Sequence, residues 1–373
     1  MPAAGPTPPP APEQVPRPPR PPADRVRTDA TLGGELSSFT GSFEEAAAAS
    51  GLVEHRVRLG GAVVRLRFAG ASLAGQLSRA FAHLADRSDD PPTLTISSWD
   101  SGTSGTEPPP LPETEADMPR GAVVYAAQAD RHVAYRPGLA QLSAYDGNSG
   151  DAWFWCRDAR ELPFWDEAAP FRQILHWWFA DRDLMLLHGA AVGLATGGVL
   201  LVGRGGSGKS TCAMSSLTSN LTYAGDDYVA VALDPEPRVF SIYCSGKLQP
   251  GHAKLLSHLP TPDFAGDGTP EEKAVFYVGD RFPERMSTGF PLRAVVVPRV
   301  TGAPRPQMHP ATAADALRAL APSTLLQLVP ARPEALAGMR RLLEVLPAYS
   351  LELGSDVGSI PGTIEALLND LQQ

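Results

Sequence analysis

The sequence predicts an α/β protein in two parts, a smaller α+β module followed by a larger α/β domain. Three observations carry that expectation. Short alternating strand patterns around glycine turns follow Glu54. From about Leu184, buried apolar strands alternate with helical patterns. One strand, glycine loop and helix, spanning Val199 to Leu217, carries a fixed chemical signature.

Eleven of the first 22 residues are proline. Such a composition cannot bury a core, so residues 1–50 are expected to form a Pro-rich, mostly disordered tail. Residues 51–170 form the expected α+β N-terminal substrate or partner module. His55 to Leu59 and Ala62 to Phe68 alternate as strands about a Gly60-Gly61 hairpin turn. SLAGQLSRAFAHLADR, from Ser72, has helical spacing behind a serine cap. Residues 87–120, rich in Asp, Pro, Ser, Gly and Thr, are expected to be a disordered-looking surface loop, interrupted only by the strand-like TLTIS. AVVYAAQ and HVAYRP add two strands.

An aromatic cluster follows, made of Trp153, Phe154, Trp155, Phe164, Trp165, Trp177 and Trp178. Its expected role is a packing seam between the two parts, with a platform for a sugar or base as the alternative. Residues 171–373 form the expected P-loop domain. Its C-terminal scaffold comprises the helical ADALRALAPSTLLQLV and PEALAGMRRLLEVL, the strand AYSLELG and the helix TIEALLNDLQ.

Composition narrows the function. The formal net charge of -9 argues against a dedicated nucleic-acid binder, whose footprint would be basic. Cys156, Cys212 and Cys244 are too few and scattered for a disulfide framework, and they suit a reducing cytoplasm. Residues 184–203 run twenty residues without a formal charge, the length of a membrane span. Five of them are glycine, so two buried strands around a turn are expected and no membrane partner is. Of 32 basic residues only four are lysine, namely Lys209, Lys247, Lys254 and Lys273, all within 65 residues. A chain so biased to arginine keeps lysine where a compact ammonium is needed.

Gly203, Arg204, Gly205, Gly206, Ser207, Gly208, Lys209 and Ser210 match the phosphate-binding pattern G-x-x-x-x-G-K-[ST] in full. Glycines let backbone amides approach phosphate oxygens, and the helix opening at Thr211 adds a favourable dipole. Lys209 would reach the β- and γ-phosphates, and Ser210 would ligate magnesium. No asparagine precedes a lysine, so the guanine-reading motif is missing, and a transporter ATPase signature is missing too.

Asp227 follows Ser210 by seventeen residues, an interval that fits a helix and a short strand. Asp226 and Asp227 are therefore expected at a strand end near the phosphates. One carboxylate would hold the metal and the other would orient and deprotonate a hydroxyl. His188 lies fifteen residues before Gly203, at the end of an apolar strand; a lone histidine there is more often a hydrogen-bonded structural residue.

His188-Gly189, GRGGSGKS and Asp226-Asp227 together resemble the catalytic core of bacterial HPr kinase/phosphorylase. The resemblance is strong over residues 184 to 235 and weaker over the rest of the C-terminal half. It implies a P-loop kinase domain of the phosphoenolpyruvate-carboxykinase-like type that uses ATP and Mg2+ to phosphorylate a serine hydroxyl. Asp227 matches the family's proton acceptor, His188 its neighbour, Lys209 the P-loop lysine and Ser210 a metal ligand, with Asp226 the second metal candidate. The family's downstream glutamate-arginine-glycine segment is not recognisable. SIYCSGKLQPGHAKLL, with Lys247 and Lys254, stands in its place, so phosphorylase activity and an HPr substrate are not expected. The chain resembles more closely the HPr-kinase-like proteins of peptide-modification pathways, some of them similar to lasso-peptide precursor kinases that phosphorylate a C-terminal serine.

The expected activity is thus transfer of the γ-phosphate of ATP to a serine of a peptide or small protein. A small-molecule alcohol kinase and a non-catalytic ATP-binding regulatory module are the alternatives. Lys247, Lys254, Arg281, Arg285 and Arg293 are the candidates for acceptor-side or transition-state contacts. A homo-oligomer remains open.

Overall fold

The computed structural model describes residues 25–26, 32–114, 118–119, 121–264 and 273–372. The proline-rich stretch over the first 22 residues lies outside them. The first part is built on an eight-stranded sheet of β1 (Arg25–Val26), β2 (Leu52–Leu59), β3 (Ala62–Ala69), β4 (Leu94–Asp100), β5 (Val124–Gln128), β6 (Arg131–Arg136), β7 (Gln141–Asp146) and β8 (Asp151–Cys156). Their spatial order is β1-β5-β6-β7-β8-β4-β3-β2. Gly60 and Gly61, at φ 55° and 82°, make the β2–β3 hairpin turn, a conformation that a Cβ would penalise. β4 lies parallel between β3 and β8, and β5 to β8 form an antiparallel meander.

One expectation gives way here and another is extended. A helix spans Leu32–Ser50, inside the stretch expected to be disordered. Leu36, Phe39, Phe43, Ala46 and Ala47 form its apolar stripe and pack on Trp99, Trp153 and Trp155. The prolines end at Pro22, and interspersed Gly, Ser and Thr obscure the helical period. The strand-like TLTIS within 87–120 is part of β4, an interior strand that runs on to Asp100 with Leu94, Ile96 and Trp99 buried. It ends at Asp100, whose Oδ2 accepts from the Thr103 and Ala159 amides at 2.8 and 3.2 Å and so caps the turn Ser101–Ser104. The described residues from Gly105 to Val123 are irregular, as their composition suggests.

The second part carries β9 (Met185–Leu187), β10 (Gly189–Leu194), β11 (Gly197–Val202), β12 (Thr222–Gly225), β13 (Val229–Ala232), β14 (Arg238–Phe240), β15 (Ser245–Leu248), β16 (Ala274–Tyr277), β17 (Gly289–Ala303), β18 (Gln307–Ala311) and β19 (Ala348–Gly354). Nine of them form one sheet, β12-β10-β11-β17-β14-β13-β9, with β19 beside β17 and β18 on β19. β15 and β16 make a separate antiparallel ribbon. The apolar run 184–203 is β9, β10 and β11, of which the last two pair as a hairpin. Among the described residues no helix is long and apolar enough to cross a membrane.

This is a mixed α/β arrangement. Only β11–β17 and β17–β19 are parallel in the larger sheet; its other pairings are antiparallel, two of them, β10–β11 and β13–β14, as hairpins. The helices Lys209–Ser215 and Ile360–Asp370 cover one face through Cys212, Met214, Ile364 and Leu368. Ala313–Leu325 and Pro333–Val345 cover the other through Leu320, Met339 and Leu342.

The aromatic cluster divides according to strand alternation. Trp153 and Trp155 face the N-terminal helix. Phe154, Phe171, Trp177 and Trp178 share a core with Tyr228, Tyr243 and Tyr277 of the second part. The two sheets therefore meet over aromatic side chains, and Trp177, on the helix Arg172–Ala180 that touches both sheets, donates its Nε1–H to the Val329 carbonyl at 2.7 Å.

Candidate active site

β11 is buried along its whole length and ends at the glycine loop. Gly203, Gly206 and Gly208 have φ of 157°, 78° and 105°. Gly208 is constrained twice over, since a Cβ there would also stand 2.2 Å from Leu353 Cδ1. The loop thereby turns tightly into the helix Lys209–Ser215. Lys209 is buried, and its Nζ donates to the Gly203 carbonyl at 2.5 Å and to that of Arg204 at 3.4 Å. Burial holds its ammonium below the ordinary lysine value, against the pull of Asp226 and with Lys273 adding to the reduction.

β12 delivers the two aspartates just past its end. Asp226 is 1% exposed; its Oδ1 accepts from Ser210 Oγ at 2.9 Å and its Oδ2 from the Lys247 amide at 3.1 Å. Asp227 adopts a left-handed conformation, φ 72°, so the chain turns between the two carboxylates. Asp227 Oδ2 accepts from Lys247 Nζ at 2.6 Å, and its Oδ1 faces His188 Nε2 at 3.1 Å. Burial alone would raise the Asp227 carboxyl. The Lys247 ammonium and the His188 hydrogen bond overcome it and hold the group well below the usual carboxylate range.

The histidine is oriented in turn. Its backbone amide donates to Thr324 Oγ1 at 3.2 Å, and its Nδ1 lies 3.4 Å from Gln327 Nε2. Tyr228 donates its hydroxyl to Gln327 Oε1, which turns the Gln327 amide nitrogen toward the ring. His188 Nδ1 is then the acceptor, and Nε2–H points at Asp227.

The glycine loop from Gly205, Lys209, Ser210, Thr211, both aspartates and His188 line one cleft, with Lys247, Gln249, His252 and Lys273 on its far wall. A second cleft of about 330 Å³ adjoins it through Asp227, Lys247 and Lys273, and is walled by Phe164, Trp165, Arg172, Tyr228 and Gln327. Asp226 lines only the first and Asp227 lines both. Arg172 is held by Asp166 at 2.6 Å and donates to the Trp165 carbonyl at 3.2 Å, which fixes the aromatic wall. A larger cleft of about 700 Å³ opens beside β9 and contains none of these groups.

Not every candidate from the sequence arrives here. Lys254 and Arg281 are exposed and line neither cleft. Lys254 sits in the turn after the helix Pro250–Ala253, and Arg281 ends the helix Val278–Arg281. Arg285 is directed toward Glu284, at 3.9 Å, and Arg293 donates to the Thr196 carbonyl at 3.2 Å. Arg204 is exposed on the loop. Conversely, Tyr228, Gln327, Thr324 and Arg172 take part without having been singled out. Tyr228 follows Asp227 directly, and Gln327 is a lone amide in the apolar run TLLQLV, a polar residue in need of a partner.

No protein-family model matches the chain. No curated protein matches it either. Among solved structures, the chain is similar to the Hpr(Ser) kinase/phosphatase from Coxiella burnetii, at 10% identity and a TM-score of 0.28, over 50% of this chain and 96% of that one. A likeness of that size leaves the chemistry to be read from this chain's own residues.

Proposed function

We propose that this protein is an ATP- and magnesium-dependent phosphotransferase that moves the γ-phosphate to a hydroxyl group, with a serine of a peptide or small protein as acceptor. The observation that carries the reading is the divergence of two adjacent carboxylates. Asp226 turns to Ser210 beneath the glycine loop, while Asp227 turns to the adjoining cleft. One site for the donor phosphates and one for the acceptor hydroxyl are what in-line transfer requires.

Ser210 Oγ and Asp226 Oδ1, 2.9 Å apart, are two hard oxygen ligands beside the loop. They fit magnesium, which takes few protein ligands and completes its shell with water and phosphate oxygens. When bound, the metal neutralises charge on the β- and γ-phosphates. Lys209 would leave its loop carbonyl for the same phosphates. The acceptor hydroxyl enters beside Asp227, whose carboxylate takes the proton as the oxygen bonds to the γ-phosphorus and the bridging bond to ADP breaks. Lys247 and His188 keep Asp227 ionised and fixed. A strongly acidic carboxyl is a weak base, which suits a loose transition state in which the proton leaves late.

Trp165, 37% exposed at the cleft rim, offers a surface for a peptide side chain. A small-molecule alcohol as acceptor is the second reading, favoured by a volume within the range of metabolite pockets. Cys156, Cys212 and Cys244 are free and buried, in keeping with a reducing compartment such as the cytoplasm. The deciding experiment is transfer of labelled γ-phosphate, with magnesium, to serine-containing peptides and to small alcohols. Label in neither class of product, despite ATP binding, would leave a nucleotide-binding module without transfer.

A further inference from the structure

We propose that Lys273 reads the γ-phosphate, giving the nucleotide site its preference for a triphosphate over a diphosphate. The inference rests on the nucleotide-binding reading above and adds to it a residue that no motif marks.

Lys273 immediately precedes β16, on the ribbon that also carries Lys247. In that ribbon Lys247 stands opposite Val275. Side chains two apart on a strand share a face, so Lys273 lies diagonal to Lys247 on the face that holds Val275 and Tyr277. Both lysines are therefore carried by one ribbon that borders the glycine-loop cleft. Lys273 borders both the loop cleft and the acceptor cleft, the position where a terminal phosphate would lie between donor and hydroxyl.

The other two lysines there are already engaged. Lys209 is bonded to the loop carbonyls and Lys247 to Asp227. Lys273 is half-buried and makes no ion pair among the described residues. Residue type points the same way. Three of the four lysines of an arginine-rich chain meet at this cleft, and a compact ammonium suits a single phosphate oxygen better than a planar fork does.

The test measures magnesium-dependent affinity of the full chain for ADP and for an ATP analogue with a non-hydrolysable β,γ bridge. Wild type, Lys273→Ala, Lys273→Arg and Lys209→Ala are compared, with melting temperature as the check on folding. Wild type should prefer the triphosphate. Lys273→Ala should lose about tenfold or more for the analogue while keeping its ADP affinity, as expected for one lost charge-assisted contact. Lys273→Arg should restore part of the preference. A preference retained in Lys273→Ala, or equal losses for both ligands, would overturn the assignment and leave the nucleotide site intact. If wild type binds neither ligand, or Lys209→Ala binds both as well as wild type does, the nucleotide reading itself falls along with it.

Discussion

Lys247 Nζ stands 2.6 Å from Asp227 Oδ2, and the Lys247 amide stands 3.1 Å from Asp226 Oδ2. One residue thus grips both carboxylates, one through its side chain and the other through its backbone. Removing the side chain leaves the backbone contact in place, which separates the two functions experimentally.

Lys247→Met should leave Asp227 as a half-buried charge held by His188 alone. A loss of about 1–3 kcal/mol in unfolding free energy is expected from the unpaired carboxylate. Denaturant titration measures it. The double variant Lys247→Met with Asp227→Asn should regain most of that stability, because no unpaired charge remains. If the double variant is no more stable than the single one, the pair is not the source of the loss.

Asp227→Asn should lower phosphoryl transfer by about 10²- to 10⁴-fold, the range for a lost general base. Nucleotide affinity should change little, since Asp226 and Ser210 remain in place. Full transfer by this variant would rule out Asp227 as the proton acceptor.

The pH dependence follows from the Asp227 carboxyl, which lies well below its unfolded value of about 3.9. Its pairing stabilises the fold fully above the unfolded value, and that contribution fades as pH falls through the lower folded value. The acid limb of kcat should therefore sit below the usual carboxylate range in wild type. In Lys247→Met, burial acts with less opposition and the limb should move to higher pH. A rate profile of both proteins from acid to neutral pH checks the direction.

Phe39→Ala should cost about 3–5 kcal/mol, the range for emptying a buried aromatic site. Phe39 is 0% exposed and packs against Trp153 at a ring-centroid distance of 6.3 Å. Thermal unfolding reports the change, and a negligible shift in melting temperature would return residues 32–50 to the status of a dispensable arm.

What was legible in the sequence was local chemistry. His188, the glycine loop and both aspartates lie within 40 residues, so their meeting follows from short strands and one helix. The hairpin at Gly60-Gly61 and the two C-terminal helices were readable for the same reason. Lys247 was visible as an oddity of composition, but its approach to Asp227 depends on a ribbon closed by β16, some thirty residues later. Gln327 lies 139 positions beyond His188 and meets it because the helix Ala313–Leu325, which it follows, packs beside β9. The N-terminal helix was hidden by polar neighbours, since burial there comes from distant tryptophans rather than from runs of apolar sequence, whereas TLTIS marked β4 but not its extension to Asp100.

The aromatic core under the junction has a further implication. Phe81 and Phe154 from the first part and Tyr228 and Tyr243 from the second lie in one packed cluster, and Tyr243 also donates to the Pro170 carbonyl at 2.7 Å. Neither half can be exchanged for a foreign counterpart without opening that cluster to water. Under the proposed function, a change of acceptor would then come from single replacements along the cleft rim, at Phe164, Trp165 and their neighbours, rather than from shuffling whole modules.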